Sequence, residues 1–267
     1  MPPEQKIKVR GESDITTCPT CGFPVRIVRR AGGYADHYKY IEDRALEQSL
    51  APQDPETAAK LRELRKGKRT VAVVGMATST CALAPFDDLD VDIWCLNEMH
   101  DFPWCKRATG WFQIHPRSSF EREIAVRNVT GHFEWLKEKH GFPIWMQFKY
   151  DDIPDSVEFP LHDICERFFG KVRRGDNKLK HFSSGFNYMM AMALYQGYER
   201  IEIYGFEMSG QDEYTPQRPG AYLWLGMAMG LGVEIYLPPN NQMLFGALYG
   251  YKGSFNGRAW DGFEDKE

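Results

Sequence analysis

The chain has no run of eighteen apolar residues, roughly the length a helix needs to cross a bilayer, so no membrane span is expected. Its first residues, MPPEQKIKVRGESD, put no apolar stretch behind the basic ones, which argues against a secretory leader and for a cytoplasmic setting. Cysteine is sparse: six in 267 residues do not make a disulfide scaffold and are read as reduced thiols. Neither G-x-G-x-x-G nor the P-loop pattern occurs, so the phosphate-cradling loops they encode are not signalled. There is no G-x-S-x-G elbow to expose a serine nucleophile, no internal repeat and no low-complexity tract. A net charge of -4 gives no global attraction to nucleic acid.

What is present suits a globular α/β protein. Hydrophobic residues make up 43% and aromatics 14% of the chain, ample for a core. The length holds one α/β domain of about 180 residues plus an appendage. Charge is uneven along the chain. Lys60–Arg69 holds six basic residues against one acid, and Lys171–Lys180 five against one. Such clusters either touch phosphates or form a solvated linker and loop, and the solvated reading is the simpler.

Three segments are expected: 1–66, 67–250 and a polar tail, 251–267. In the first, the C-P-x-C-G knuckle at Cys18–Gly22 precedes Val25–Val28, Ala31-Gly32-Gly33 and Tyr34–Tyr40, which reads as a β-hairpin with a knuckle at its entrance. Two thiolates at this spacing suit zinc, and His37 can be a third ligand, but tetrahedral zinc takes four. No second CxxC completes the set. A zinc site of Cys18, Cys21 and His37, a metal-free hairpin and a site shared between chains all stay open. Asp54 is placed to cap a helix that begins at Pro55 and ends before Gly67, a helical arm.

The second segment alternates strands and helices. Strands are predicted at Val71–Val74, Val91–Leu96, Trp111–Ile114, Ile144–Phe148, Ile201–Tyr204 and Val233–Leu237, and helices at Leu161–Phe169 and Phe186–Tyr195. Ser118 with Glu121 makes a capping-box pattern, and Thr130 is placed to start a helix through Trp135 to Lys139. This alternation predicts a mostly parallel, Rossmann-like sheet with helices on both faces. Ligands of such sheets bind at the carboxyl ends of the strands. That rule nominates Gly75–Thr80, Asn97, His115, Glu207–Arg218 and Asn240-Asn241.

Chemistry narrows the list. Asp87–Asp92 contains D-x-D twice, a metal-diphosphate spacing, but lies at the opposite end of strand two and reads as a solvated turn; Asp151, Asp152 and Asp155 read the same way. Ser184 is placed to cap the central helix, and the amides of Ser183-Ser184-Gly185 suit a phosphate or carboxylate. His115 and Glu207, each at a strand end, are either bases for an acceptor proton or structural groups. Asp212–Gly220 reads as a polar loop that folds over the cleft before a helical run at Tyr222–Met229, with Arg218 suited to a phosphate and Tyr214 to a leaving group.

The succession Val71–Gly75 with its Ser79 loop, Leu96-Asn97, Ile114-His115-Pro116, Ser183-Ser184-Gly185 and Gly197–Gly205, then Val233–Tyr236, resembles the bacterial lipooligosaccharide sialyltransferases over residues 70–245. It also resembles the archaeal 6-hydroxymethylpterin diphosphokinases. Phage-encoded proteins with this domain are similar as well, particularly around Tyr214 and Gln217-Arg218-Pro219-Gly220. The resemblance implies donor binding by Asn97, Ser184 and Gly185, and help to the departing phosphate from Tyr214. Met76 stands where the sialyltransferases carry a donor-contacting Asn, and His115 stands for their Asn before proline. Their general-base histidine falls in a segment shortened here, near Gln217 and Arg218.

The expected function is therefore transfer of a group, a sugar, from a nucleotide-linked donor to an acceptor hydroxyl. His115, Glu207, Tyr214 and Arg218 would be catalytic, and Gly75, Ser79, Asn97, Ser183, Ser184, Gly185 and Gln217 would hold the donor. The phage likeness suggests a hydroxymethylated DNA base as acceptor. The alternatives are a non-catalytic nucleotide- or nucleic-acid-binding module, and a diphosphoryl transferase on a small heterocycle, which would need a magnesium site that the sequence does not reveal.

Overall fold

The computed structural model describes residues 15–17, 24–26, 54–77, 79–121, 131–172, 181–208, 214–239, 241 and 243–244. The zinc candidates Cys18, Cys21 and His37, together with Asn240 and the tail, lie outside the described residues. Strands β1 (Ile15–Thr17) and β2 (Pro24–Arg26) pair antiparallel, with Ile15 opposite Arg26 and Thr17 opposite Pro24. An antiparallel strand pair is thus present in this region; the turn expected at Ala31-Gly32-Gly33 and the strand expected at Tyr34–Tyr40 lie outside the described residues.

Helix α1 (Pro55–Arg65) begins as its sequence dictates. The Asp54 carboxylate accepts from the backbone N–H of Glu56 at 3.1 Å and of Thr57 at 3.0 Å, and Pro55 sits where its missing N–H costs nothing. The chain then forms β3 (Thr70–Val74), β4 (Val91–Leu96), β5 (Gly110–Gln113), helix α2 (His132–Lys137), β6 (Ile144–Met146), β7 (Ser156–Glu158), helices α3 (Leu161–Phe169) and α4 (Gly185–Tyr195), β8 (Arg200–Tyr204), helix α5 (Tyr214–Gly230) and β9 (Glu234–Tyr236). Strands β3 to β9 make one sheet in the order β7-β6-β5-β4-β3-β8-β9, every neighbouring pair parallel. The fold is α/β and Rossmann-like. The chain steps outward from β3 to β7 and then returns to lay β8 against the other side of β3, so β3 lies next to the reversal of strand order.

Paired residues of parallel strands face the same side. One face therefore carries Val71, Val73, Trp94, Leu96, Phe112, Ile201 and Ile203, and α4 packs there, its Gly185 so close to Leu96 that an added Cβ would lie 2.9 Å from the leucine Cδ1. The opposite face carries Arg200, Glu202 and Tyr204 of β8, and Trp111 and Gln113 of β5. Arg65 of α1 and His132 of α2 come down on that side, which puts helices on both faces.

Several local readings are corrected. Strand β7 was not foreseen; it is a three-residue edge strand with two exposed residues and little apolar signal. Ser118 and Glu121 make no capping box: the segment is a 3-10 turn, Arg117–Ser119, and Glu121 pairs with Arg117 at 3.0 Å. Residues 212–220 are not all loop, because α5 begins at Tyr214 and runs through Pro216 and Pro219. Pro216 falls in the first turn, where no backbone donor is lost, and at Gly220 the helix packs so tightly on α4 that an added Cβ would lie 2.4 Å from Asn187 Nδ2.

The acidic turn before β4 is likewise structural rather than merely solvated. Asp88 pairs with Arg65 at 2.8 Å, and Asp92 accepts from the Tyr198 hydroxyl at 2.6 Å. Asp152 holds Arg117 through two bonds of 2.7 and 2.6 Å, and Asp155 accepts from the N–H of His140 and of Gly141. In the basic stretch 60–69, Arg65, Lys66, Lys68 and Arg69 all bond within the protein.

Glu202 is fully buried and accepts from Arg65 at 2.9 and 2.7 Å, from Arg200 at 2.8 Å and from Tyr204 at 2.8 Å. Burial works to raise its carboxyl, but Arg65 above all, then Arg200 and Tyr204, outweigh it and hold the group below the usual carboxylate range. Removing one partner leaves buried charge uncompensated. Arg65→Ala should therefore lower stability by about 3 kcal/mol, read from the midpoint of urea unfolding, whereas Lys66→Ala, whose ion pair is exposed, should change it by less than about 0.5 kcal/mol. Equal shifts in the two variants would contradict this account.

Candidate functional site

A cleft of about 220 Å³ opens at the carboxyl ends of β4, β5 and β6, against the N-terminus of α4. Leu96 and Asn97 end β4, Ile114 and His115 follow β5, Gln147 follows β6, and Ser183, Ser184 and Gly185 lead into α4. Phe112, Phe182 and Tyr188 supply apolar wall. Five of the residues nominated from the sequence (Asn97, His115, Ser183, Ser184 and Gly185) are thus brought together.

Asn97 turns the chain off β4 in the left-handed region, at φ +52°, a conformation asparagine tolerates better than most residues. Its backbone is engaged: the N–H donates to Phe112 O at 3.0 Å, and the carbonyl accepts from the Trp111 indole at 3.0 Å. The side chain is left to line the cleft. Strain of this kind is stored where geometry is needed.

Ser184 is the N-cap of α4 by position, yet its hydroxyl makes no capping bond, so the predicted cap is corrected. Its Oγ is buried and has no hydrogen-bond partner among the described residues; the same holds for Asn187 Oδ1, one turn on. Asn187 Nδ2 donates to Ser183 Oγ at 3.2 Å, and Ser183 Oγ donates to Gln217 O at 3.4 Å. The orphaned Ser184 hydroxyl, on a residue that lines the cleft, beside the amides of an eleven-residue helix makes a place where a polar ligand gains bonds that the protein leaves unmade.

The remaining nominees lie elsewhere. Gly75 and Gly205 approach back to back; a Cβ on Gly75 would lie 2.4 Å from Gly205 O, so Gly75 serves a backbone contact between β3 and β8. Ser79 donates to the Glu207 carboxylate, and the two form a cluster at the ends of β3 and β8, outside the cleft lining. Arg218 Nε donates to Met208 O at 2.7 Å, which ties the first turns of α5 to the chain after β8. Gln217 is near the cleft through its backbone, and Tyr214 opens the same helix.

Sequence reasoning missed the groups behind His115. Its Nδ1 lies 3.0 Å from Gln113 Oε1; Gln113 Nε2 lies 2.6 Å from His132 Nε2; and His132 Nδ1 lies 2.9 Å from His100 Nε2. His100 Nδ1 lies 3.2 Å from the Asp101 carboxylate. Gln113 and His132 are fully buried. The one available signal was a glutamine closing an otherwise apolar strand, Trp111-Phe112-Gln113. Among the described residues, no group of three or more His, Cys, Asp or Glu side chains is arranged to hold a metal ion, and no helix is long and apolar enough to cross a membrane.

No family model matches the chain, and no curated protein matches its sequence. Similar solved structures include the sialyltransferase CstII from Campylobacter jejuni with the substrate analogue CMP-3FNeuAc: 17% identity, 65% of this chain and 82% of that one, TM-score 0.38. Another is the sialyltransferase CST-II with a trisaccharide acceptor and CMP, at 18% identity over 64% of this chain and 82% of that one, TM-score 0.37. A third is the monofunctional alpha-2,3-sialyltransferase Cst-I from Campylobacter jejuni, at 14% identity over 67% and 78%, TM-score 0.39. Likeness at this level carries no conclusion about activity.

Burial lowers the pKa of His100, and His140 adds to this, against the opposing charges of Asp101 and Glu138. The folded protein therefore prefers the neutral ring. A group whose folded pKa lies below its unfolded value of about 6.5 contributes stability that is full above that pH and is lost as pH falls toward the folded pKa. The melting temperature should drop on going from about pH 7.5 to about pH 5.5. In His100→Phe, which keeps an aromatic ring against Trp135, the drop should be smaller; an unchanged drop would show that His100 does not contribute.

Proposed function

We propose that this chain is a glycosyltransferase-like enzyme that moves a sugar from a nucleotide-linked donor to an acceptor hydroxyl. The observation that carries the reading is one cleft lined together by His115, Asn97 and the N-terminus of α4. A helix N-terminus with an orphaned hydroxyl suits an anionic or polar part of the donor, and an imidazole beside it suits the removal of a proton. The cleft is smaller than the several hundred Å³ usual for a complete ligand site, which fits one ring of the donor better than the whole of it.

In this scheme Asn97, Ser184 and Gly185 hold the donor. The acceptor O–H gives its proton to His115 as the new C–O bond forms, and the donor's sugar–phosphate bond breaks with its electron pair leaving on the phosphate. A hydroxyl is a poor nucleophile until such a base is within reach. Glu207, bonded to Ser79 outside the cleft lining, is the less favoured base. Arg218 and Tyr214, at the start of α5, are assigned to the departing phosphate. The finer proposal of a hydroxymethylated DNA base as acceptor is weakened by the engagement of Arg65, Lys66, Lys68 and Arg69 within the protein, and is kept as one arm of the test.

Purified protein should release free nucleotide from at least one member of a panel of nucleotide sugars, assayed with small acceptor sugars and with hydroxymethylated DNA. Thermal stabilisation by nucleotide without turnover would point instead to the binding module, and conversion of ATP to AMP to the diphosphoryl transferase. His115→Ala should cut kcat by about a hundredfold or more with the circular dichroism spectrum unchanged. Asn97→Gly, which retains the left-handed turn but deletes the side chain, should raise KM for the donor by about tenfold. Unchanged kinetics in both variants would overturn the site.

A further inference from the structure

The contacts behind His115 determine one another. The backbone N–H of His115 lies 3.4 Å from one terminal atom of the Gln113 amide, and an N–H only donates, so that atom is the oxygen. The same oxygen, 3.0 Å from His115 Nδ1, has no hydrogen to give; His115 Nδ1 must carry the proton, which leaves the neutral ring's lone pair on Nε2. The other end of Gln113 is then the NH2, donating to His132 Nε2 at 2.6 Å. With Nε2 accepting, neutral His132 carries its proton on Nδ1 and donates to His100 Nε2 at 2.9 Å. By the same step His100 carries its proton on Nδ1, which faces the Asp101 carboxylate at 3.2 Å. Every donor points the same way, from the cleft toward an anion.

Packing fixes the rings that make this chain. His100 stacks on Trp135 with centroids 4.4 Å apart and planes 8° apart, and lies edge to edge with His132, centroids 5.1 Å and planes 7° apart, as an in-plane hydrogen bond requires. His140 covers the same indole at 4.0 Å. The charged and titratable groups about the far end are Asp101, Glu138 and His140.

We infer that Gln113, His132, His100 and Asp101 are positioning residues that hold His115 as its Nδ1–H tautomer, with Nε2 as the basic nitrogen. The tautomer of an imidazole is set by the hydrogen bond its other nitrogen makes. Here that bond is the first of three in series, each polarising the next, and the last ring turns its Nδ1 toward the Asp101 carboxylate. When Nε2 takes a proton, the imidazolium donates more strongly to Gln113, whose amide transmits the polarisation along the series without itself losing a proton. Use of that nitrogen in transfer rests on the proposed function; the tautomer does not.

Long-range proton–nitrogen correlation spectra of protein labelled with 15N-histidine read each ring's tautomer directly. At neutral pH, His115, His132 and His100 should all appear as Nδ1–H. An Nε2–H signature at His115 or at His132 in the native protein overturns the inference, with no variant needed. Gln113→Met removes the acceptor and should release His115 into a mixture of tautomers. Gln113→Glu should keep His115 as Nδ1–H but reverse His132 to Nε2–H, because a carboxylate only accepts. A merely structural role for Gln113 predicts neither change, and a His132 that stays Nδ1–H in folded Gln113→Glu overturns the chain. If a nucleotide sugar is turned over, Gln113→Met should lower kcat with little change in KM; an equal kcat removes the chain from the reaction. If none is turned over, the proposed function fails, while the spectra still decide the tautomers.

Discussion

Burial of α4 is the constraint on which the site depends. Phe186, Met189, Met190, Ala191, Met192, Ala193 and Leu194 are all shut away from solvent, wedged between the apolar face of the sheet and α5. Each large side chain of this kind contributes about 1.5–3 kcal/mol by leaving water, so the helix has one place to go. It also feeds β8, which runs parallel to β3. A helix that precedes a parallel strand must start at the carboxyl edge of the sheet, because it has to carry the chain back to the strand's amino end. Apolar packing and parallel topology together therefore deliver the free amides of Ser184 and Gly185 to the edge where Asn97 and His115 end their own strands.

The two faces of the sheet do different work. The α4 face is almost wholly apolar. The opposite face buries Glu202 with Arg65, Arg200 and Tyr204, and farther along carries Gln113 with His132. A slip of one residue in β8 would turn these charges into the apolar face and the isoleucines onto Arg65. Polar burial is poor evidence of net stability, but here it makes one strand register far better than its neighbours. The register of β5 between β4 and β6 likewise turns Gln113 to the face where His132 lies, and hence fixes the setting of His115.

Much of the fold was legible in the sequence, for local reasons. The continuous apolar runs Val71–Val74 and Ile201–Tyr204, each followed by glycine, announced central parallel strands, and Asp54-Pro55 announced the start of α1. Strand β7 was illegible because an edge strand of three residues needs little apolar surface. The first turns of α5 were hidden by Pro216 and Pro219, which read as loop until Gly220 is seen against Asn187.

At the site, the sequence by itself determined which residues stand at strand and helix ends: Asn97, His115 and Ser183-Ser184-Gly185. Strand termini follow from apolar runs and the residues that stop them, which are local properties. Only the tertiary structure decided which of those ends share a cleft, that Glu207 turns to Ser79 instead, and that His115 has Gln113, His132, His100 and Asp101 behind it. Those partners come from one strand end, a 3-10 turn and a helix, and the hydrogen bonds that join these segments, between residues far apart in sequence, leave no mark on the pattern of any of them.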